Sequence, residues 1–91
     1  MSVRVKIPTL MRDRTGGAAV VEASGDTVGA VLADLEARFP GATDKVVDAE
    51  GALHRFVNVY VNGEDIRFAG SLGATVRDGD TVTILPAVAG G

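Results

Sequence analysis

The sequence predicts an α+β fold, a mixed sheet with one main helix packed across it. Three observations carry that reading. Short valine-rich runs with period-two alternation stand at Val3–Ile7, Phe56–Val61 and Thr81–Leu85. Between them Val28, Val31, Leu32, Leu35 and Phe39 recur at helical spacing, which sets all five on one helix face. Hydrophobic residues make up 46% of the 91 positions and charged ones 23%, enough for one modest core in one domain.

Val3, Val5 and Ile7 alternate with Arg4 and Lys6, a half-buried strand closed by Pro8. Leu10 and Met11 are expected to pack inward, and Arg12–Gly17 reads as a turn ending in Gly16-Gly17. Ala18–Ala23 is expected as a second strand, antiparallel to the first through that turn. Ser24-Gly25-Asp26-Thr27 opens the helix, with Asp26 or Thr27 as the cap, and Asp34, Glu36 and Arg38 fall on its solvent side. Pro40-Gly41 ends it.

Ala42–Leu53 is weakly patterned, with a short helical turn expected at Val46-Val47 and a loop at Glu50-Gly51. In Phe56–Val61, Val57, Val59 and Val61 form one face and Phe56, Asn58 and Tyr60 the other. Asn62-Gly63 is a tight-turn signal, since both residues tolerate positive φ, and Ile66–Phe68 is expected as a short strand after it. Arg77-Asp78-Gly79-Asp80 is a further turn. Thr81–Leu85 is the final strand, with Val82 and Ile84 on its inner face. Two strands, a helix, then strands again predict a β-grasp arrangement. The first and last strands then lie side by side in the centre, parallel, with the helix across one face. Residues 1–85 read as this domain and 86–91 as a flexible C-terminal tail.

Composition excludes several functions. No cysteine is present, so sulfur handled by this protein cannot be held on a thiol of its own. One histidine, His54, rules out a histidine-rich metal site. A net charge of −3 with only two lysines, Lys6 and Lys45, gives no nucleic-acid surface. The N-terminus has no long apolar run, so neither a signal peptide nor a membrane span is expected, and the protein is expected in the cytoplasm.

The end of the chain draws the functional reading. Pro86-Ala87-Val88-Ala89-Gly90-Gly91 follows the last strand. Pro86 cannot donate to a sheet ladder. Ala87 and Ala89 are small, and Gly90 and Gly91 have no side chains and reach backbone conformations closed to other residues. Such a tail fits a narrow channel in a partner enzyme and presents the Gly91 α-carboxylate with no Cβ in the way.

The motifs Ile7-Pro8-Thr9, Ser24-Gly25-Asp26-Thr27, His54-Arg55-Phe56-Val57-Asn58 and Asp78-Gly79-Asp80 running into Val82–Gly91 give the chain a family likeness. It resembles the ubiquitin-like sulfur-carrier proteins of bacteria, the group of the molybdopterin synthase small subunit and the thiamine-pathway carrier. Within that group it is most similar to carriers of an actinobacterial cysteine-biosynthesis route. The likeness runs over nearly the whole chain and is weakest across Ala42–Leu53. It implies that an E1-like enzyme uses ATP to adenylate Gly91, that a sulfur donor displaces AMP, and that the resulting thiocarboxylate passes sulfur to an acceptor. The acceptor implied is an aminoacrylate on a pyridoxal-phosphate-dependent cysteine synthase. A thiosugar synthase, molybdopterin or thiamine are the alternatives. A metal-dependent peptidase then releases the cysteinyl product. No cofactor is implied on the carrier, which is a protein co-substrate rather than an enzyme.

Other residues have plainer readings. His54 is taken as structural or superficial, and Asp78 and Asp80 as turn residues around Gly79 rather than paired catalytic carboxylates. Arg4, Arg55 and Arg67 are taken as solvated. Phe56 and Tyr60 on the outer face of their strand, with Leu85, form a candidate partner surface. Two other functions share the fold: a ubiquitin-like modifier whose Gly91 forms isopeptide bonds, and a β-grasp binding module with an incidental tail.

Overall fold

The computed structural model describes residues 2–44, 46–48, 50–54 and 57–86. Phe56 of the candidate surface, Arg55, and Ala87, Val88, Ala89, Gly90 and Gly91 of the tail lie outside the described residues. So does the expected flexibility of that tail.

The strands follow the valine patterns. In β1 (Val3–Lys6) Val3 and Val5 are buried while Arg4 and Lys6 are exposed. β2 (Val20–Ala23) pairs antiparallel with it, Val5 opposite Val21. β3 (Val57–Val61) buries Val57 and Val59 and turns through Asn62 (φ 51°) and Gly63 (φ 89°) into β4 (Glu64–Asp65). Two successive positive φ angles match the right-handed twist of a hairpin, which is why Asn-Gly stands there. β5 (Thr81–Pro86) buries Val82 and Ile84. It runs one residue past the expected boundary and takes in Pro86, opposite Val57. The sheet order is β2-β1-β5-β3-β4, with β1 and β5 parallel at the centre and the other pairs antiparallel. This is the β-grasp arrangement.

The helix α1 (Val28–Arg38) lies across the inner face and buries Val28, Val31, Leu32 and Leu35. Thr27, rather than Asp26, is its cap, and its hydroxyl accepts from the Ala30 N–H at 3.1 Å. Phe39 is partly buried against the core. Glu36 is not simply solvated. Its carboxylate accepts from the backbone N–H groups of Gly41 (2.6 Å) and Thr43 (3.1 Å) and from the Thr43 hydroxyl (2.7 Å).

Two expectations are corrected. Thr9–Thr15 forms a 3-10 helix that buries Met11 and Thr15 but leaves Leu10 63% exposed. Three residues per turn cannot bring adjacent positions to one side. Ile66–Phe68 is a 3-10 turn and not a strand, because the Asp65 carboxylate accepts from the Arg67 N–H at 2.9 Å and bends the chain. Ile66 drops fully into the core and Phe68 is left 88% exposed. The helical turn expected at Val46-Val47 is present, with both N–H groups donating to the Thr43 carbonyl. Val46 is fully buried, and Val47 pairs with Leu53 in an isolated bridge across a turn whose Asp48 carboxylate accepts two backbone N–H groups. The weakly patterned stretch thus closes one end of the core.

Candidate functional site

The route to Gly91 leaves the described structure at the end of β5. There Leu85 stands opposite Asn58 and Pro86 opposite Val57, whereas the last β1 partner is Lys6, opposite Thr83. Ile84, Leu85 and Pro86 therefore extend beyond β1 with β3 alone as paired neighbour. On the open side lies a groove of about 350 Å³, lined by Lys6, Ile7, Pro8, Thr9, Arg12, Thr83, Ile84 and Leu85. Arg12 is fixed by a hydrogen bond from Nε to the Ile7 carbonyl at 3.0 Å. Two cations thus flank the departure point in a chain whose net charge is −3. Sequence reasoning missed Lys6 and Arg12 here. One lies on β1 and the other in the 3-10 helix, and only the fold joins them.

Tyr60 and Leu85 share the outer face of the sheet, Tyr60 opposite Thr83 and Leu85 opposite Asn58 in the neighbouring row. Tyr60 is half-buried and Leu85 is 48% exposed. Arg4, Lys6, Val20, Glu22, Thr81 and Thr83 join this face by register. It is mainly polar, with Leu85 as its large apolar group nearest the β5 end.

Asp78 and Asp80 are turn residues, as expected. Gly79 has φ +87° and the Asp80 N–H donates to the Arg77 carbonyl at 3.0 Å. Asp78 accepts from the Ser2 N–H, and Asp80 from the Asn62 amide and the Arg77 N–H. The Asn62 amide, then the Arg77 N–H, hold the Asp80 carboxyl below its ordinary value. These groups sit just before β5, about 20 Å or more from Pro86 at ordinary strand rise. A larger groove of about 420 Å³, between the β3–β4 hairpin and Ala74–Asp80, is also at that far end. Among the described residues no cluster of three histidine, aspartate or glutamate side chains could hold a metal, and no helix is long and apolar enough to cross a membrane.

Arg67 is exposed, as expected, but its guanidinium is also hydrogen-bonded. Its Nη1 donates to Asn58 Oδ1 at 2.7 Å, and its Nη2 to the carbonyls of Val57 (2.8 Å) and His54 (3.2 Å).

A β-grasp domain with this strand order matches the ThiS family model over residues 5–91. The chain belongs to the ThiS family. It is 58% identical over 93 aligned positions to the sulfur carrier protein CysO of Mycobacterium tuberculosis, with all of both chains covered. The CysO chain in the crystal structure of the Amycolatopsis orientalis BexX/CysO complex superposes with a TM-score of 0.92 at 57% identity, covering 98% of this chain and 99% of that one. The small archaeal modifier SAMP1 of Haloferax volcanii superposes with a TM-score of 0.82 at 29% identity, with 100% of both chains covered. The fold is thus the ubiquitin-like β-grasp. The protein is a sulfur carrier, acted on by other enzymes rather than an enzyme itself.

Proposed function

We propose that the Gly91 carboxylate is the group that carries sulfur, and that the sulfur goes to cysteine synthesis. A carboxylate is ionised at neutral pH, with an ordinary pKa of about 3.5, and it resists nucleophiles. Its oxygen attacks the α-phosphorus of ATP on an activating enzyme, and pyrophosphate leaves. The acyl carbon of the adenylate is then open to a sulfide equivalent, which expels AMP and leaves a thiocarboxylate. One hard step becomes two easier ones. The carrier supplies the acyl group and a recognisable handle, while the activating enzyme supplies ATP binding and the electrostatics.

The observation behind this reading is the 58% identity to CysO over the full chain, and the run Pro86-Ala87-Val88-Ala89-Gly90-Gly91 at the end of the sequence agrees with it. The acceptor implied by that relationship is an aminoacrylate on a pyridoxal-phosphate-dependent synthase. The A. orientalis BexX/CysO complex supports a carrier that docks on partner proteins. Leu85, Tyr60, Lys6 and Arg12 around the β5 exit are the surface proposed for that docking, with Phe56 as a further candidate.

The test is ATP–pyrophosphate exchange with the cognate activating enzyme. Gly91→Ala adds one methyl beside the reacting carboxylate and is expected to slow exchange on the order of a hundredfold, as an atomic misplacement of about 1 Å does. It should melt like the parent. One residue added after Gly91 moves the carboxylate by about 3.5 Å and should abolish exchange. Parent-like exchange by the extended protein would show that Gly91 is not the reacting group.

A second reading has its own support. The small archaeal modifier protein 3 of Haloferax volcanii is 37% identical over 65 residues, 71% of this chain. In that reading Gly91 forms isopeptide bonds with lysines, which appears in intact-mass spectra as ladders of larger conjugates.

A further inference from the structure

β3 has an open edge beside the point where β5 ends. β4 covers only Tyr60 and Val61 of β3. The Val57 N–H donates to the His54 carbonyl at 3.1 Å and its C=O accepts from Arg67, so both backbone groups of Val57 face away from β5. By strand alternation Asn58 faces β5, where it pairs with Leu85. Among the described residues, the start of β3 therefore pairs with a strand on one side only. On the other side, where a further strand would pair, stands the Arg67 guanidinium.

We propose that Arg67 is a positioning residue for sulfur loading. It closes the edge of β3 at Val57 and so fixes the strand against which β5 ends at Pro86, setting the direction in which the tail leaves the domain. A guanidinium suits this task because its planar fork serves several acceptors at once. Here it joins the Asn58 side chain and the His54 and Val57 carbonyls. The residue is itself anchored. Its N–H is held by Asp65, which pairs with Tyr60 in β4, and the preceding Ile66 is fully buried. The hairpin thus reaches back through Arg67 to the other end of β3.

The inference rests on the reading that Gly91 is the activated residue. If the domain docks on an enzyme while the tail threads a channel, the angle between them is part of the fit.

The test compares the parent with Arg67→Ala, Arg67→Lys and Asn58→Ala, each confirmed as folded by thermal melting. Lysine keeps the charge but puts all its donors on one nitrogen, which cannot span the three acceptors. Arg67→Ala and Arg67→Lys are both expected to speed amide exchange at Asn58 and Leu85 by about tenfold through local opening. Both should raise KM for the carrier in ATP–pyrophosphate exchange by about tenfold, with kcat changed less. Asn58→Ala, which leaves Arg67 in place, should give a smaller shift in the same direction.

A parent-like Arg67→Lys would mean that only the charge matters, and would overturn the proposal. Faster amide exchange with parent-like KM and kcat would reduce Arg67 to a structural role and would also overturn it. If the parent itself gave no pyrophosphate exchange, the Gly91 reading would fail, and the tail role of Arg67 with it. The amide measurements would still decide whether Arg67 braces β3.

Discussion

Gly25 shows how little room one residue has at the entry to α1. A Cβ built there would lie 2.7 Å from the Val31 backbone nitrogen and 2.9 Å from the Ala30 carbonyl carbon. Those are backbone atoms of the helix, not the loose end of a side chain, so the helix start would have to shift. Gly25→Ala is expected to cost about 1–3 kcal/mol, the usual range for overpacking, measured by chemical denaturation against the parent. Next to it, Thr27 caps α1, and its neighbours tie the helix start to the segment before β5. The Val28 N–H donates to the Ala74 carbonyl and the Val76 N–H to the Asp26 carbonyl, both at 3.0 Å. The sequence showed a helix start in Ser24–Thr27 because cap residues precede a periodic apolar run. It did not show which side chain caps, nor that Ala74 and Val76 would be buried there, since that depends on contacts distant in sequence.

At the scale of elements, Glu36 joins α1 to the loop after it. The Gly41 N–H, then the Thr43 hydroxyl and N–H, stabilise its charged form and hold its carboxyl below the ordinary value. A carboxyl with a lowered folded pKa adds stability that is complete above the unfolded pKa of about 4.3 and is lost as pH falls through the folded pKa. Glu36→Gln should therefore be less stable than the parent at neutral pH, with the gap narrowing in acid. Thermal melts from neutral pH down into strong acid would check this, and a gap that stayed constant would contradict it.

The 3-10 turn after β4 gives a second contrast. Ile66 is fully buried and Phe68 is 88% exposed. Ile66→Ala is expected to cost about 2–5 kcal/mol and Phe68→Ala within about 0.5 kcal/mol of nothing, both read from denaturant midpoints. The reason Ile66–Phe68 misled is physical. An apolar residue on each side of an arginine looks like strand alternation, but the Asp65 side chain supplies a local hydrogen bond that favours a turn. Long elements whose whole face is apolar, such as α1 and β3, were legible from periodicity. Arg67 was not, because the acceptors it spans lie in His54–Asn58 and nothing in the spacing announces them.

On the scale of the whole molecule, the fold closes by bringing its first and last strands together. β1 and β5 pair in parallel at the centre, and Ser2 is held by both Asp78 and the Gly79 N–H. The centre strand then runs out to Pro86, with Lys6 and Arg12 on one side and the start of β3, to which Arg67 is hydrogen-bonded, on the other. That geometry suits a handle whose chemistry is done at Gly91 by another enzyme. The chain itself has no cysteine to hold sulfur. The central claim is thus that the sulfur sits on the Gly91 carboxyl. It is tested most directly by incubating the protein with ATP, its activating enzyme and a sulfide source, then measuring intact mass and fragmenting the product. The expected result is a gain equal to the exchange of one oxygen for one sulfur, confined to Gly91 and absent without ATP. An unchanged mass, or sulfur located on any other residue, would contradict the account.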